Sequence, residues 1–345
     1  MPTSTVGPPT ASVSPAPADL QGKKAPTLLA DLRTLAEPAT GGDPMTDDKF
    51  VRRSLGNLSK ELAALGHQAC PTTVAGLLRE LGYNLRVNVK RLTGPYHPDR
   101  DRQFRYLEGL IDEFRAEGLP VLSVDTKKKE LVGNFANGGR AWVNALNEVN
   151  AHDFLTDALC RAVPYGLYDV LANRGHVVVG TSSDTPAFAA DAVTRWWVRC
   201  GCKRYRDAGE ILILADSGGS NGCRPRLWKQ RLQGLADTYG LEVTVCHYPR
   251  GASKWNPVEH RLFGPISMNW AGVPLRTPEL MLSLIRGTTT WSGLTVTAEW
   301  TEQRYRRGLK VSDAEMAELN IEYHSICPQW NYTIRPRTPD WWKWN

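Results

Sequence analysis

The sequence predicts an α/β protein: a mixed sheet flanked by helices, preceded by a small helical region. Three observations carry this reading. Val121-Leu122-Ser123-Val124 and Glu210-Ile211-Leu212-Ile213-Leu214-Ala215 are short apolar runs of strand length, and each is followed at once by an aspartate, Asp125 and Asp216. A third run, Val243-Thr244-Val245, has the β-branched composition of a strand and leads through a Pro/Gly-containing loop to Asn256-Pro257, a helix start. Between these runs lie helical periodicities, Phe188, Ala192, Val193 and Trp196 in the stretch 185–199, and a second helix over 227–239. Strand, hairpin, helix, strand, helix, strand, helix is the order of a mixed sheet covered by helices.

A chain of 345 residues has ample length for such a core. Its formal net charge of +6 is compatible with a polyanionic partner without requiring one. Seven scattered cysteines read as reduced thiols, and Cys200 and Cys202 lack a second pair at zinc-ligand spacing. No signal peptide and no apolar run of about 20 residues is present, so the expectation is a soluble cytoplasmic protein, with no membrane partner, that joins the nucleoid when bound to DNA.

In chain order, residues 1–26 are rich in Pro, Ala, Ser and Thr and read as a disordered leader. Residues 27–118 read as a helical region. Leu58, Leu62 and Leu65 share one helix face that ends at Gly66, and Pro71-Thr72-Thr73 opens a second helix with Val74, Leu77, Leu78 and Leu81. Two short amphipathic helices around a Gly turn fit a helix-turn-helix, and fit an ordinary helical hairpin as well. The flanking Arg79, Arg86, Lys90, Arg91, Arg100, Arg102 and Arg105 favour a DNA-binding role, with Arg79, Lys90 and Arg91 as candidate phosphate contacts. A further helix from about 99 to 117 has Phe104, Leu107, Leu110, Ile111 and Phe114 on its buried face. The sheet domain spans 119–275, with a weakly patterned insertion at about 134–163 and a hairpin turning at Asn173-Arg174-Gly175, and 276–345 extends it.

Each acid on its own has an ordinary structural use. An aspartate after a strand caps a helix or closes a turn, and Asn256-x-x-Glu259 matches a capping box. Together, Asp125, Asp216 and Glu259 would gather three carboxylates beyond the carboxyl ends of strands, where ligands of such sheets bind. Uncompensated, they repel one another. Mg²⁺ or Mn²⁺, two ions in the expected arrangement, would neutralise them and serve phosphoryl displacement. The turn Ser217-Gly218-Gly219-Ser220-Asn221-Gly222 lacks the Lys and spacing of a P-loop.

The segments SVDTKKKELVGNF, DALCRAVPYGLYD, LADSGGSNG, TVCHYPRGASKWNPVEHRLFGPISMNW and WNYTIRPR resemble, in order, the ISAzo-type insertion-sequence transposases, distant relatives of the mariner-like group. The resemblance runs from about Leu28 to Arg337. It implies a ribonuclease-H-like catalytic domain with an Asp-Asp-Glu triad, carried over as Asp125, Asp216 and Glu259. Ser217 stands where the family usually carries Gly, and family members begin with a further helix-turn-helix where this chain has its leader. The implied activity is metal-dependent cleavage at terminal inverted repeats followed by strand transfer. The partners are transposon ends and target DNA, and the assembly a dimer or larger synaptic complex. Lys127, Lys128 and Lys129 are candidate DNA contacts; Asn221, His247, Lys254, Asn256 and His260 are candidate supporting residues, while Trp196, Trp197, Trp255 and Trp270 read as core. Two alternatives stand beside this: a related nuclease that hydrolyses without joining, and a truncated, recognition-impaired product that only binds DNA.

Overall fold

The computed structural model describes residues 26–36, 40–42, 49–51, 53–84 and 97–337. The leader, Arg86, Lys90, Arg91 and the Trp-rich stretch 340–344 lie outside these residues. The chain divides into two compact units, 1–91 and 92–345.

In the first unit, helix α1 (Pro26–Ala36) is followed by the antiparallel pair β1 (Thr40–Gly42) and β2 (Lys49–Val51), then α2 (Leu55–Ala64) and α3 (Pro71–Glu80). Leu32, Leu58, Leu62, Ala69 and Val74 form the buried centre. The Ser54 side chain caps α2 by accepting from Asn57 N at 3.1 Å, and Gly66 takes the left-handed backbone (φ 89°) that ends the helix. His67 Nε2 meets Asp31 Oδ2 at 2.7 Å and ties the following turn to α1.

The second unit opens with α4 (Arg100–Ala116), β3 (Val121–Thr126), the short β4 (Glu130–Val132), and the hairpin β5 (Cys160–Asp169) and β6 (Arg174–Gly180). Then come α5 (Pro186–Trp196), a π-helical turn Trp197–Gly201 with the short α6 (Cys202–Arg204), β7 (Glu210–Asp216), α7 (Arg226–Tyr239) and β8 (Glu242–Tyr248). A second π-helical turn, Glu259–Phe263, runs into α8 (Gly264–Asn269). The chain continues with α9 (Pro278–Arg286), β9 (Thr295–Thr301), α10 (Asp313–Ala317), β10 (Ile321–Tyr323) and β11 (Asn331–Ile334).

The strands lie in the order β10-β11-β8-β7-β3-β5-β6-β9, with β4 beside β5. Strands β3, β7 and β8 are mutually parallel, β5 is antiparallel to β3 and β6, and β6 is parallel to β9. The central five strands therefore have the order and directions of a ribonuclease-H-like sheet. The period-2 alternation of strand side chains divides the core between the two faces. Leu122, Val124, Ile211, Ile213 and Val243 pack under α5 and α7, while Val121, Leu212, Leu214 and Cys246 pack under α4. Val177 and Val179 meet Leu262, Phe263 and Ile266 from the second π-turn and α8.

Helix α4 departs from the helical region expected over 27–118, because it belongs to the sheet unit. Leu107 and Phe114 pack on β3 and β7. The fully buried Gln103 gives one amide hydrogen bond to His247 O at 3.0 Å and exchanges two with the Asn331 side chain, at 2.6 and 2.7 Å. That polar group on an apolar face locks the helix to β8 and β11. The hairpin turn also differs: Asn173 (φ 51°) takes the left-handed position, whereas Arg174 and Gly175 lie within β6. Strands β9 to β11 lie within 276–345, which reads in sequence only as an extension of the sheet domain.

At the β9 edge, the buried His176 places Nδ1 2.8 Å from Thr297 Oγ1 and Nε2 3.4 Å from Glu299 Oε1. Burial lowers its proton affinity, but hydrogen bonds and charge from Cys200 and Glu299 outweigh this and the net pKa is raised. A raised folded pKa stabilises fully below the unfolded value, and that stability is lost as pH rises through the folded value. The melting temperature is thus expected to fall as pH is raised above about 6.5, and His176→Gln to flatten that slope. An identical pH slope in the variant would refute the role of His176.

Candidate active site

Strands β3 and β7 are parallel neighbours with Val124 paired to Ala215, so Asp125 and Asp216 finish side by side. Alternation turns both away from the α5/α7 face, to the face that receives the chain after β8. There the 3₁₀ turn Ser253–Trp255 brings in Asn256 and the π-turn that begins at Glu259. All three carboxyl groups are half-buried.

Their mutual influence is direct. Asp125 is raised to about 8, first by burial, then by the charge of Asp216, with Glu259 adding a shared hydrogen bond and charge; the Thr126 amide, bonded at 2.7 Å, opposes the shift. Asp216 is also raised, by burial and by the charge of Glu259, against the hydrogen bond from Asn256. The donor set is all oxygen and carries more negative charge than the site compensates, which fits a hard divalent cation. Among the described residues, no group of three or more His, Cys, Asp or Glu side chains already converges in a metal-holding arrangement. The fit is therefore one of donor chemistry and charge.

The local capping-box reading of Asn256-x-x-Glu259 does not hold, because the Asn256 side chain forms a clamp instead. Asn256 is fully buried; its Nδ2 donates to Asp216 Oδ1 at 3.1 Å and to Val124 O at 3.4 Å. Its Oδ1 accepts from Ser123 Oγ at 2.5 Å, and Ser123 Oγ accepts in turn from Val258 N at 2.9 Å. Ser123, which in sequence reads as an ordinary strand residue, thus joins β3 to the backbone just before Glu259. A lone hydroxyl two residues before the strand-end aspartate was its available signal.

Gly166 makes the close approach possible. It lies opposite Asp125 on β5, and a Cβ there would stand 2.3 Å from Phe263 Cε1. Gly175 does the same beneath Leu262, where a Cβ would meet Cδ1 at 2.4 Å. These two glycines let the helix that carries Glu259 sit on the hairpin.

The remaining candidates divide. Asn221 is buried and donates to Val124 O at 3.4 Å. His247 is fully buried, with its pKa lowered to about 4 by burial; its Nδ1–H donates to the Asp216 carbonyl at 3.0 Å, so it stands behind the carboxylate as a neutral imidazole. His260 Nε2 bonds Lys254 O and fastens that loop to the helix. Lys254 Nζ lies 4.1 Å from the centre of the Trp255 ring. Trp196, Trp197 and Trp270 are buried as expected, but Trp255 is 44 % exposed, with the Arg100 guanidinium 4.9 Å from its centre. Lys127 is engaged by Glu130 Oε1 at 2.8 Å and by the Trp270 ring at 4.6 Å. Lys128 is exposed and Lys129 half-buried, while Arg79 is exposed at the end of α3 in the other unit.

A family model described as the Rhodopirellula transposase DDE domain matches residues 31–336. The chain belongs to this transposase family. No curated protein matches it. Among solved structures, it is similar to the Mos1 transposase paired-end complex with left transposon end, at 15% identity and TM-score 0.40 over 76% of this chain and 71% of that one. The Mos1 mariner paired end complex with Mn gives 14% and 0.39 over 79% and 71%. The Mos1 Strand Transfer Complex gives 15% and 0.39 over 76% and 71%. The fold stands on the sheet order above rather than on these likenesses. Among the described residues, no helix is long and apolar enough to cross a membrane.

Proposed function

We propose that this transposase-family chain cuts DNA at the terminal inverted repeats of its element and joins the freed 3′ ends to target DNA, with Asp125, Asp216 and Glu259 as its catalytic carboxylates. The observation that carries the reading is the meeting of β3, β7 and the π-turn at one end of the sheet, with one acid from each. The three residues would hold Mg²⁺ or Mn²⁺, two ions in the arrangement we favour. The bound metal would supply the acidity that activates a water or a 3′-hydroxyl and the charge that stabilises the leaving oxygen. The chain's own part is positional. Asn256 orients the Asp216 carboxylate, His247 holds its backbone, and Ser123 fixes the start of the Glu259 helix to β3. Such preorganisation keeps the acids in place through cleavage and joining.

Binding to the ends falls, in this proposal, to the helical unit with α2 and α3, read as a helix-turn-helix, and Arg79, Lys90 and Arg91 as phosphate contacts. Lys128 and Lys129 remain candidate contacts beside Asp125. Two ends handled together call for a dimer or larger assembly.

The test is an assay of nicking and strand transfer, with Mg²⁺ or Mn²⁺, on DNA bearing the element's ends. Expected products are nicked ends and joined target molecules, both lost on chelation. Hydrolysis without joining would replace the proposal with a nuclease. Binding without any cleavage would replace it with a DNA-binding role alone.

A further inference from the structure

Beyond the carboxylates, a basic groove begins beside the same end of the sheet, on the α5/α7 side, and runs back along α5 and α7. Two adjoining cavities, of about 460 and 530 Å³, share Arg306 and Leu309 in their walls. Their cationic wall residues are Arg226, Arg231, Arg304, Arg306, Arg307 and Lys310, against two carboxylates, Asp184 and Asp191; Arg226 is itself paired with Asp313 at 2.6 Å, outside the wall. Both carboxylates are already engaged. Asp184 accepts from Thr126 Oγ1 at 3.2 Å, and Asp191 binds Arg195 at 2.7 Å as well as the Tyr305 hydroxyl.

The loop from 302 to 311 that supplies four of these cations is pinned, not loose. Tyr305 is buried against Phe188, with ring centres 5.2 Å apart, and its amide donates to Ser182 Oγ at 3.2 Å. Arg307 Nε donates to Ser183 Oγ at 2.6 Å, and Arg226 Nη1 to Val311 O at 3.2 Å. Anchored so, the loop holds Arg304, Arg306 and Lys310 exposed, with no carboxylate partner among the described residues. Fixed, uncompensated cations lining a continuous groove are the pattern that binds a polyanion through its charge.

One end of the groove lies beside the strand ends that carry the aspartates, on the other face of the sheet from their side chains. Asp184, in its wall, bonds Thr126, the residue after Asp125, and Pro225 and Arg226 end the turn that begins after Asp216.

We infer that this groove is a sequence-independent track for the DNA phosphate backbone, along which duplex running to or from the cut is held by Arg304, Arg306 and Lys310. The inference rests on the transposase reading for its choice of DNA. Guanidinium and ammonium groups set on an anchored loop meet phosphates without reading bases.

The test uses the full chain with Arg306→Ala/Lys310→Ala, and Lys203→Ala/Arg206→Ala as a control. The control removes the same charge near the amino end of β7, the opposite end of that strand from Asp216. Binding to the element's ends and to short duplexes of arbitrary sequence is measured across a salt series. The groove variant is expected to bind both DNAs roughly tenfold more weakly, with the salt slope reduced by about 2, as for two lost phosphate contacts. Arg306→Lys/Lys310→Arg should restore both values, and the control should match the unaltered chain. Unchanged binding in the groove variant, a loss confined to the ends, or an equal loss in the control would each overturn the inference. If the unaltered chain fails to cleave with metal while the groove variant still loses arbitrary-sequence binding, the transposase chemistry falls and the groove stands.

Discussion

Asp216→Asn is expected to remove metal-dependent cleavage and strand transfer by at least ~10³-fold, about 4 kcal/mol of barrier at 1.36 kcal/mol per tenfold. The substitution keeps the shape of the side chain, and its oxygen can still accept the hydrogen bond from Asn256, so the clamp survives. What it removes is one carboxylate of three in a site where Asp216 and Glu259 raise the proton affinity of Asp125, and Glu259 that of Asp216. The same variant separates binding of metal from catalysis. With the unaltered chain, Mg²⁺ or Mn²⁺ at about 100 times its Kd should stabilise the fold by about 2.7 kcal/mol, read as a rise in melting temperature. That rise should vanish with Asp216→Asn while the metal-free melting temperature holds. Cleavage that survives the substitution would remove Asp216 from the proposed triad.

Gly166→Ala should produce the second large effect, from a residue with no functional group. Its new methyl would overlap the Phe263 ring, and overpacking of a fitted core costs about 1–3 kcal/mol. Relief requires the π-turn to move outward, and Glu259 opens that turn. A shift of about 1 Å at a reacting group can cost ~10²-fold in rate, so activity should fall further than stability alone explains. A double-mutant cycle with Phe263→Ala checks the cause: the pair should be less destabilised than the sum of the two single changes. Strict additivity would show that the glycine is not needed for this contact.

Much of this architecture was legible in the sequence because its signals are local. The apolar runs ending in Asp125 and Asp216 declare buried strands and the acids they deliver, and the Pro-initiated helices declare their own starts. What stayed hidden depends on partners distant along the chain. Gln103 looks like a polar interruption of an apolar face until Asn331 supplies its complement. Asn256 followed by Glu259 reads as a local cap, and only the arrival of β3 and β7 beside it turns its amide towards Asp216 and Ser123. Gly175 resembles a turn glycine because its steric role requires Leu262, which lies on a different element. Trp255 reads as core because size and hydrophobicity say nothing of the two cations that flank it. The alternation in Thr295–Thr301 was available as a strand signal, but an edge strand with exposed positions competes poorly with longer apolar runs.

The π-helical turn at Glu259–Phe263 has a consequence for how acid and scaffold are coupled. An α-helix advances by 100° per residue, so every side chain's azimuth is fixed by its place in the count. A π-turn inserts one extra residue and resets that angle. At the start of the turn, Glu259 follows the Asn256 and Ser123 clamp; at its end and beyond it, Leu262, Phe263 and Ile266 are oriented by the hairpin they cover. The turn thus acts as a phase adjuster between two surfaces that need different rotations of one helix, so the acid's aim and the helix's seat can each be satisfied separately.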